Sequence, residues 1–594
     1  MSIVRSSFLA ALTLVSLTAC SGTTAPTGEA ARQGVVVEVT PESVSVSSGV
    51  AAAFDASVTG AADTSVRWSV LEGSPSGGSV SAAGLYTAPG TPGTYHVVAT
   101  SSADATKSAT ATVRVAAGYG GGAGAGGEGG EYVACRDEQL RSQGVHYYCD
   151  CQAGRAEGCV AGNDGNPGTT SSAPRRTVGN AIGLFGGLAA GETIAFCRGG
   201  SFAGDGGYWT NSNGTAGNPV IVRDYPAPWS SGTEGRPIIN GQLSLHGPAN
   251  GYRLLNLRLA GSGSGYGVLA VNGVNDVTYC NLEIEGFEIG IYANTTLRNA
   301  AVGTRFLNNS SQGWLGNGTG NEVRDGYFWN NGYSNSMFDH SIYFGGSTLS
   351  QNEVIANNEI HPPANAGGVV VAAHGPHRYM LVEGNVITFD GGAGVGGWGI
   401  SLQRGYSVPE YNSDTIIRGN KVVNSGNVGI SATSCQRCLV ENNVVINTTQ
   451  GINAIAVPNS AADTGKGDPV SQNVTIRNNT VYLTAGGTGI VAGLEGSGHV
   501  VANNAVSVSG GSTCYSFGGG TFSERDYNLC YGGSGASPGA HSLTTPPMFV
   551  SAPSNLAPAT GSPLIGAGDP AQTPAFDVTG GTRPVPGAIG AYEP

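Results

Sequence analysis

One phrase of apolar and β-branched residues around an amide recurs through the second half of the chain: VIANNEI returns as LVEGNVI, IIRGNKV, LVENNVV, TIRNNTV and VVANNAV. Its second or sole amide falls at Asn358, Asn385, Asn420, Asn443, Asn479 and Asn504, at spacings of 27, 35, 23, 36 and 25 residues. Apolar side chains alternate on both sides of the amide, so each phrase predicts two short strands joined across a turn. A unit of near-constant length with insertions marks a solenoid, and β-branched pairs around a buried turn amide suit a parallel β-helix. Weaker copies stand earlier, LLNLRL around Asn256 and YCNLEI around Asn281. Each coil should rise by one strand spacing, about 4.8 Å, which stacks equivalent side chains and lets Asn amides hydrogen-bond above and below as a ladder. The recurring Asn is therefore read as structural rather than ligand-binding.

Residues 34–116 have a different rhythm. VVVEV, SVRWSV and TYHVVATS are short alternating strands between Gly, Pro and Ser turns, which predicts a β-sandwich with Trp68 in its core. The run GYGGGAGAGGEGG at 118–130 has too little side chain to fold and is read as a flexible linker. An open solenoid end is an exposed sheet edge and needs a cover. TVGNAIGLFGGL places Val178, Ala181, Ile182, Phe185 and Leu188 at helical spacing, a short amphipathic cap for the front, and the tail from Pro546 lacks the repeat. The opening MSIVRSSFLAALTLVSLTAC carries Arg5 and then an apolar run from Phe8 to Leu17, too short to span a bilayer and typical of a secretion signal. Its end, LTAC, resembles the lipobox of bacterial lipoproteins, which implies acylation of Cys20 as the first mature residue. No other stretch is long and apolar enough to cross a membrane.

These boundaries divide the chain into a signal peptide (1–19), a lipid-anchored tether (20–33), a sandwich domain (34–116), a Gly-rich linker (117–131), a Cys-rich entry and front cap (132–240), β-helix coils (241–510) and a C-terminal cap segment (511–594). A monomer is expected, in the bacterial cell envelope at the outer membrane or cell surface, touching the membrane only through its lipid. Ser21 after the anchor is compatible with outer-membrane sorting.

Composition agrees with an exported solenoid. Charged residues are 11%, less than half of the roughly 25% usual in soluble domains, and Gly is 98 of 594, more than twice the usual share of roughly 7%. A net charge of -13 argues against nucleic-acid binding, which needs a basic face. Eleven cysteines less the anchor leave ten, an even number in a compartment where disulfides persist. Zinc at Cys149, Cys151 and Cys159, or redox chemistry at CQRC, lacks the companion residues each needs, so structural disulfides are expected.

Several longer runs carry family resemblances. GGSVSAAGLYTAPGTPGTYHVVATSSADATKSATATVRV resembles bacterial group 2 Ig-like domains, which implies a stalk. DGNPGTTSSAPRRTVGNAI with AAGETIAFCRGGSF, and TGSPLIGAGDP with DVTGGTRPVPGAIGAYEP, are similar to the entry and C-terminal segments of right-handed parallel β-helix proteins of the pectin-lyase-like superfamily. With the repeats, that resemblance covers residues 160–594. It implies an all-β fold and action on polysaccharides as a lyase, hydrolase, esterase or epimerase, or a noncatalytic adhesin or tailspike, so the fold does not name the reaction. The NTD, DD, GHG and RIK elements of polygalacturonase-like hydrolases are absent as written, with AHGPHR only a partial echo. Pectate lyases raise calcium as a cofactor, for which no ligand set can be named here.

Chemistry-bearing residues cluster where the coils are best defined. Alternation in GIYA, SIYF, GVVV, GISL and GIVA turns Tyr292, Tyr343, Ser401 and Gln403 outward on one continuous sheet. Loops at one edge supply Asp339, His340, His361, Asp390 and Trp398, and at the other His374, His377, Arg378, Arg404 and Tyr406. A lyase needs a base for the proton beside a uronate carboxylate and a cation for that carboxylate. Of three lysines, Lys107 lies in the sandwich, Lys421 should point away from the groove, and Lys466 sits in a loop. The expected catalytic residues are thus Asp339, His340, His374 and Arg404, with Tyr343, His377, Arg378, Trp398 and Tyr406 binding substrate and no metal site. His374 or His340 would move a proton, Tyr343 donate one and Arg404 bind an acidic sugar. Alternatively Asp339 and Asp390, two coils apart at roughly 9 to 10 Å, would serve an inverting glycosidase. The structural reading of the same residues is that Asp339 caps a turn and His340 packs at a strand start. The function expected is a surface-anchored polysaccharide lyase or glycosidase, with a noncatalytic carbohydrate-binding or adhesion lipoprotein as the alternative.

Overall fold

The computed structural model describes residues 34–40, 43–47, 51–74, 76–82, 84–89, 93–116, 144–334, 336–392, 396–509, 511–535 and 539–594. The signal peptide, Cys20, the tether, the Gly-rich linker and the first residues of the Cys-rich entry lie outside them.

Among the described residues, three long parallel sheets of 14, 13 and 12 strands run the length of the second part of the chain. The first sheet extends from Val145–Tyr148 to Phe522–Asp526, the second from Ser201–Ala203 to Leu529–Tyr531, and the third from Tyr208–Trp209 to Thr513–Phe517. One coil shows the path: Val354–Ala356 in the first sheet, Glu359–His361 in the second, Val369–His374 in the third, then Leu381–Glu383 back in the first, one rung on. Between the third and first sheets, Ser350–Gln351, Pro376–Arg378, Tyr411–Ser413 and Cys435–Gln436 pair as a short fourth sheet. This is the expected right-handed parallel β-helix. Stacked apolar columns fill it, as where Trp314, Ile342, Val371, Ile400 and Ile430 follow one another in register, all fully buried.

The Asn ladder is continuous from Asn358 through Asn385, Asn420, Asn443, Asn479 and Asn504, and runs one rung further to Asn528. Each Oδ1 accepts both the backbone N–H and the side-chain amide of the preceding rung, as Asn443 does from Asn420 at 3.0 Å each. In the doubled NN phrases the first amide has a different task. Asn357, Asn442, Asn478 and Asn503 adopt φ between 52° and 59°, the left-handed corner that Asn tolerates. Asn256 and Asn281 belong to this corner class, at φ 56° and 50°, while Leu257 and Leu282 hold the buried position after them. The early copies therefore keep the turn but not the buried amide.

The front cap forms as expected: Val178–Phe185 is a helix with Thr177 accepting from the Asn180 N–H, and Phe185 meets Trp209 and Tyr252 edge-on at 5.0 and 5.3 Å. The C-terminal tail lies along the flank of the last coils. Leu556, Val578 and Ala591 cover Val444 and Ile446, and Gly590 donates to the Asn503 carbonyl. Disulfides join Cys149 to Cys197, Cys151 to Cys159, Cys435 to Cys438 and Cys514 to Cys530, and Cys280 is also disulfide-bonded, so the Cys149–Cys159 group is no zinc site.

The residues of 34–116 pack separately around Phe54, Tyr86, Val97, Ala99, Ala111 and Val113. A four-stranded sheet made of Ser43–Ser47, Val66–Val70, Gly93–Ser101 and Ser108–Ala116 accompanies two smaller sheets. Trp68 is half-buried at the border of this core, 6.4 Å from Phe54, while Phe54 and Tyr86 occupy its centre.

Candidate active site

The third sheet carries the site. Strand His340–Gly345 pairs with Gln312–Gly316 before it and Val369–His374 after it, which puts Tyr292, Leu315, Tyr343, Ala372 and Ser401 in one outward column. Tyr292 and Tyr343 remain half-exposed, but Ser401 is buried and its hydroxyl pairs with that of Ser431 at 2.6 Å. The segment 403–410 folds back over the sheet, so that the Tyr406 hydroxyl hydrogen-bonds the Tyr343 hydroxyl. Two glycines permit that approach. A Cβ at Gly345 would lie 2.6 Å from the Tyr406 hydroxyl oxygen, and one at Gly405 would lie 2.8 Å from the His374 ring.

Glu410 holds the segment in place. One of its carboxylate oxygens accepts from the N–H groups of Gly405 and Tyr406 at 2.6 and 2.7 Å, and the other from Gly375 at 2.8 Å. Burial by itself would raise its pKa; contact with His374 and the three N–H donors outweigh burial and lower it. A second loop braces the first: the Glu410 N–H donates to Asp468, Arg404 to the Ala461 carbonyl and Lys466 to the Tyr406 carbonyl, at 2.9, 2.8 and 2.9 Å. Together the sheet and the bridging segment bound a cleft of about 440 Å³ lined by Tyr292, Leu315, Asn317, Tyr343, Tyr406 and Val408 with intervening small residues.

His374 sits beside this cleft. Its Nδ1 faces Glu410 Oε1 at 3.7 Å, and its ring centroid is 5.7 Å from those of both Tyr343 and Tyr406. His340 stacks on Tyr343 at 4.9 Å and contacts the Val369 carbonyl through Nδ1 at 2.7 Å. Burial pulls its pKa down to about 4, so the ring is neutral at neutral pH, with Nδ1–H donating to the carbonyl. The Tyr343 hydroxyl is pushed well above the ordinary tyrosine range by burial, by its bond to Tyr406 and by the nearby Glu410 charge, which keeps it protonated.

The other expected residues divide. Tyr406 and Tyr343 line the cleft, and Trp398 lies half-buried two strands along in the column of His340. Asp339 is buried and takes the hydroxyls of Ser311 and Ser334 and the Ser336 N–H, the bonding of a turn cap. Arg404 occupies the bracing network. His377 and Arg378 belong to the short fourth sheet: Arg378 pairs with Asp414 at 3.2 Å, and His377 is buried against Glu353 at 2.6 Å. Burial opposes a charge on His377, but the Glu353 carboxylate and the His374 carbonyl raise its pKa overall. Asp390 pairs with His361 at 3.2 Å, in the turn between a second-sheet and a third-sheet strand, as Asp339 is two coils earlier. Glu410 and Glu353 were not singled out from the sequence, where each is an isolated acid in an ordinary loop or strand. Among the described residues no group of three or more His, Cys, Asp or Glu is arranged to hold a metal ion.

The family model for a right handed beta helix region matches residues 354–526. No curated protein matches the chain by sequence. Among solved structures, a GH136 lacto-N-biosidase from Eubacterium ramulus is similar at 14% identity over 62% of this chain and 66% of that one, with a TM-score of 0.40. An alginate lyase from Paenibacillus sp. is similar at 15% identity over 58% and 95%, TM-score 0.29, and the periplasmic alginate epimerase AlgG at 11% over 58% and 78%, TM-score 0.29. The chain covers just under two thirds of the lacto-N-biosidase. From its entry segment to its last coil, this protein is built on a right-handed parallel β-helix.

Proposed function

We propose that the cleft on the third sheet binds an extracellular acidic polysaccharide and cleaves it by β-elimination. The observation that carries this reading is the His374 ring set beside the cleft between Tyr343, which lines it, and Glu410. With Nδ1–H turned to Glu410, His374 presents Nε2 as the base that removes the proton beside the uronate carboxylate. The electron pair forms the ring double bond as the glycosidic C–O bond breaks, and the protonated Tyr343 hydroxyl supplies the proton to the leaving oxygen. Arg404 and Lys466, in the network that braces the 403–410 segment, would add positive charge near the uronate. Tyr292 and Tyr343, half-exposed in the cleft lining, suit apolar contact with sugar rings.

Hydrolysis by paired carboxylates has less support. Asp339 and Glu410 have their oxygens occupied by turn and backbone donors, and Asp390 is paired with His361. The same reading includes tethering through Cys20, with residues 34–116 as a stalk that holds the β-helix away from the membrane. The test is incubation of the purified protein with alginate, polygalacturonate, hyaluronan and neutral glucans, recording reducing ends and ultraviolet absorbance of unsaturated uronates together. A rise in both supports elimination. Reducing ends alone assign a hydrolase, and binding without product assigns a noncatalytic lectin or adhesin.

A further inference from the structure

We infer that the outer face of the second sheet carries a separate binding site for a neutral glycan, centred on Trp329. The buried tryptophans Trp209 and Trp314 belong to the β-helix interior, whereas Trp329 is 46% exposed in the middle of a sheet face. Its neighbour on the next coil is His361, with ring centroids 5.6 Å apart. His361 is fixed by two carboxylates, Nε2 to Glu359 at 3.0 Å and Nδ1 to Asp390 at 3.2 Å. The ring beside it, Tyr327, is covered by the Arg305 guanidinium at 4.7 Å, so Trp329 is the open aromatic face of this group.

The turn that follows Trp329 carries further exposed apolar side chains. Tyr333, Met337 and Phe338 project from it at 40%, 71% and 72% exposure. Asp339 anchors this turn through Ser311, Ser334 and Ser336. An open indole stacks on the C–H face of a pyranose ring, and carboxylates at its edge accept hydrogen bonds from sugar hydroxyls. Asp390, with 55% of its side chain exposed, and Glu359, with 37%, are placed to do so. Their negative charge disfavours a uronate, which sets this face apart from the proposed cleft and commits it to neutral sugars. The inference does not depend on the cleft's chemistry.

The test is electrophoresis of the full-length chain through native gels cast with a neutral β-glucan, xylan or galactomannan, and with alginate as the acidic reference. At least one neutral gel should retard the protein. Trp329→Ala should weaken that interaction about tenfold or more, and Asp390→Asn should weaken it with the indole retained. Tyr343→Phe should leave it unchanged, and alginate retardation should be the same in parent and Trp329→Ala. Thermal unfolding of both variants at the parent temperature establishes that the fold is kept. Retardation that survives both substitutions, or no retardation in any neutral gel, overturns the inference whatever the cleft proves to do.

Discussion

Glu410→Gln isolates the clamp that closes the cleft. In the parent, three N–H groups converge on one carboxylate, and hydrogen bonds to a charged group contribute about 1.5–3 kcal/mol each. A glutamine can turn its carbonyl to Gly405 and Tyr406, keeping two bonds at neutral strength and losing about 1 kcal/mol on each. Its amide nitrogen then faces the Gly375 N–H, donor against donor, at a further cost of about 2 kcal/mol. The sum, about 4 kcal/mol, should appear as local opening of 403–410, because the ladder and apolar columns are untouched. Amide hydrogen exchange reads it directly: the Gly375, Gly405 and Tyr406 amides should exchange up to about a thousandfold faster, with the Asn420 and Asn443 amides unchanged. Acid should mimic the substitution in the parent. The folded-state pKa of Glu410 is depressed, so its contribution is complete above the ordinary value of 4.5 and is lost as pH falls through the depressed value. The variant should lack that acid dependence. Exchange at the three amides within about threefold of the parent would refute the clamp.

Asn443→Ala removes four bonds, to Ile417, Asn420 and Asn479, and takes the acceptor from the buried Asn420 N–H, which should cost about 3–5 kcal/mol in urea unfolding. Glu353→Gln breaks the buried partner of His377 and should cost about 3–5 kcal/mol by the same measurement. Because the folded pKa of His377 is raised, its stabilisation is complete below 6.5 and fades as pH rises through the folded value; the parent should weaken over that alkaline span and Glu353→Gln should show a flatter profile. Cys20→Ser should move the protein from the membrane fraction to the soluble fraction in a bacterial host, read by immunoblot after fractionation.

The β-helix was legible because its signal is repeated: a turn amide between apolar pairs recurs, and a period of two places Tyr292, Tyr343 and Ser401 in one column. What the repeat does not distinguish is which of two adjacent positions takes the amide. That is why Asn256 and Asn281 belong to the left-handed corner, with leucines at the inward position. The cleft was legible only in part. Strand phase identifies Tyr343 and the turn order brings Tyr406 near it, but the clamp on Glu410 joins residues 35 apart and its brace to Asp468 joins residues 58 apart, contacts that leave no local pattern. Asp339 illustrates the opposite difficulty. An acid beside a histidine suits catalysis or a turn cap equally well in sequence, and only the three donors around its carboxylate distinguish them.

The most direct test of the central claim is the ultraviolet absorbance of unsaturated uronate during incubation with acidic polysaccharides, with the parent, Tyr343→Phe and His374→Ala side by side. At least one acidic polysaccharide should give the product, with a loss of about a hundredfold or more in each variant at unchanged thermal stability. Absence of unsaturated product from every acidic polysaccharide, or full activity in Tyr343→Phe, would contradict that claim.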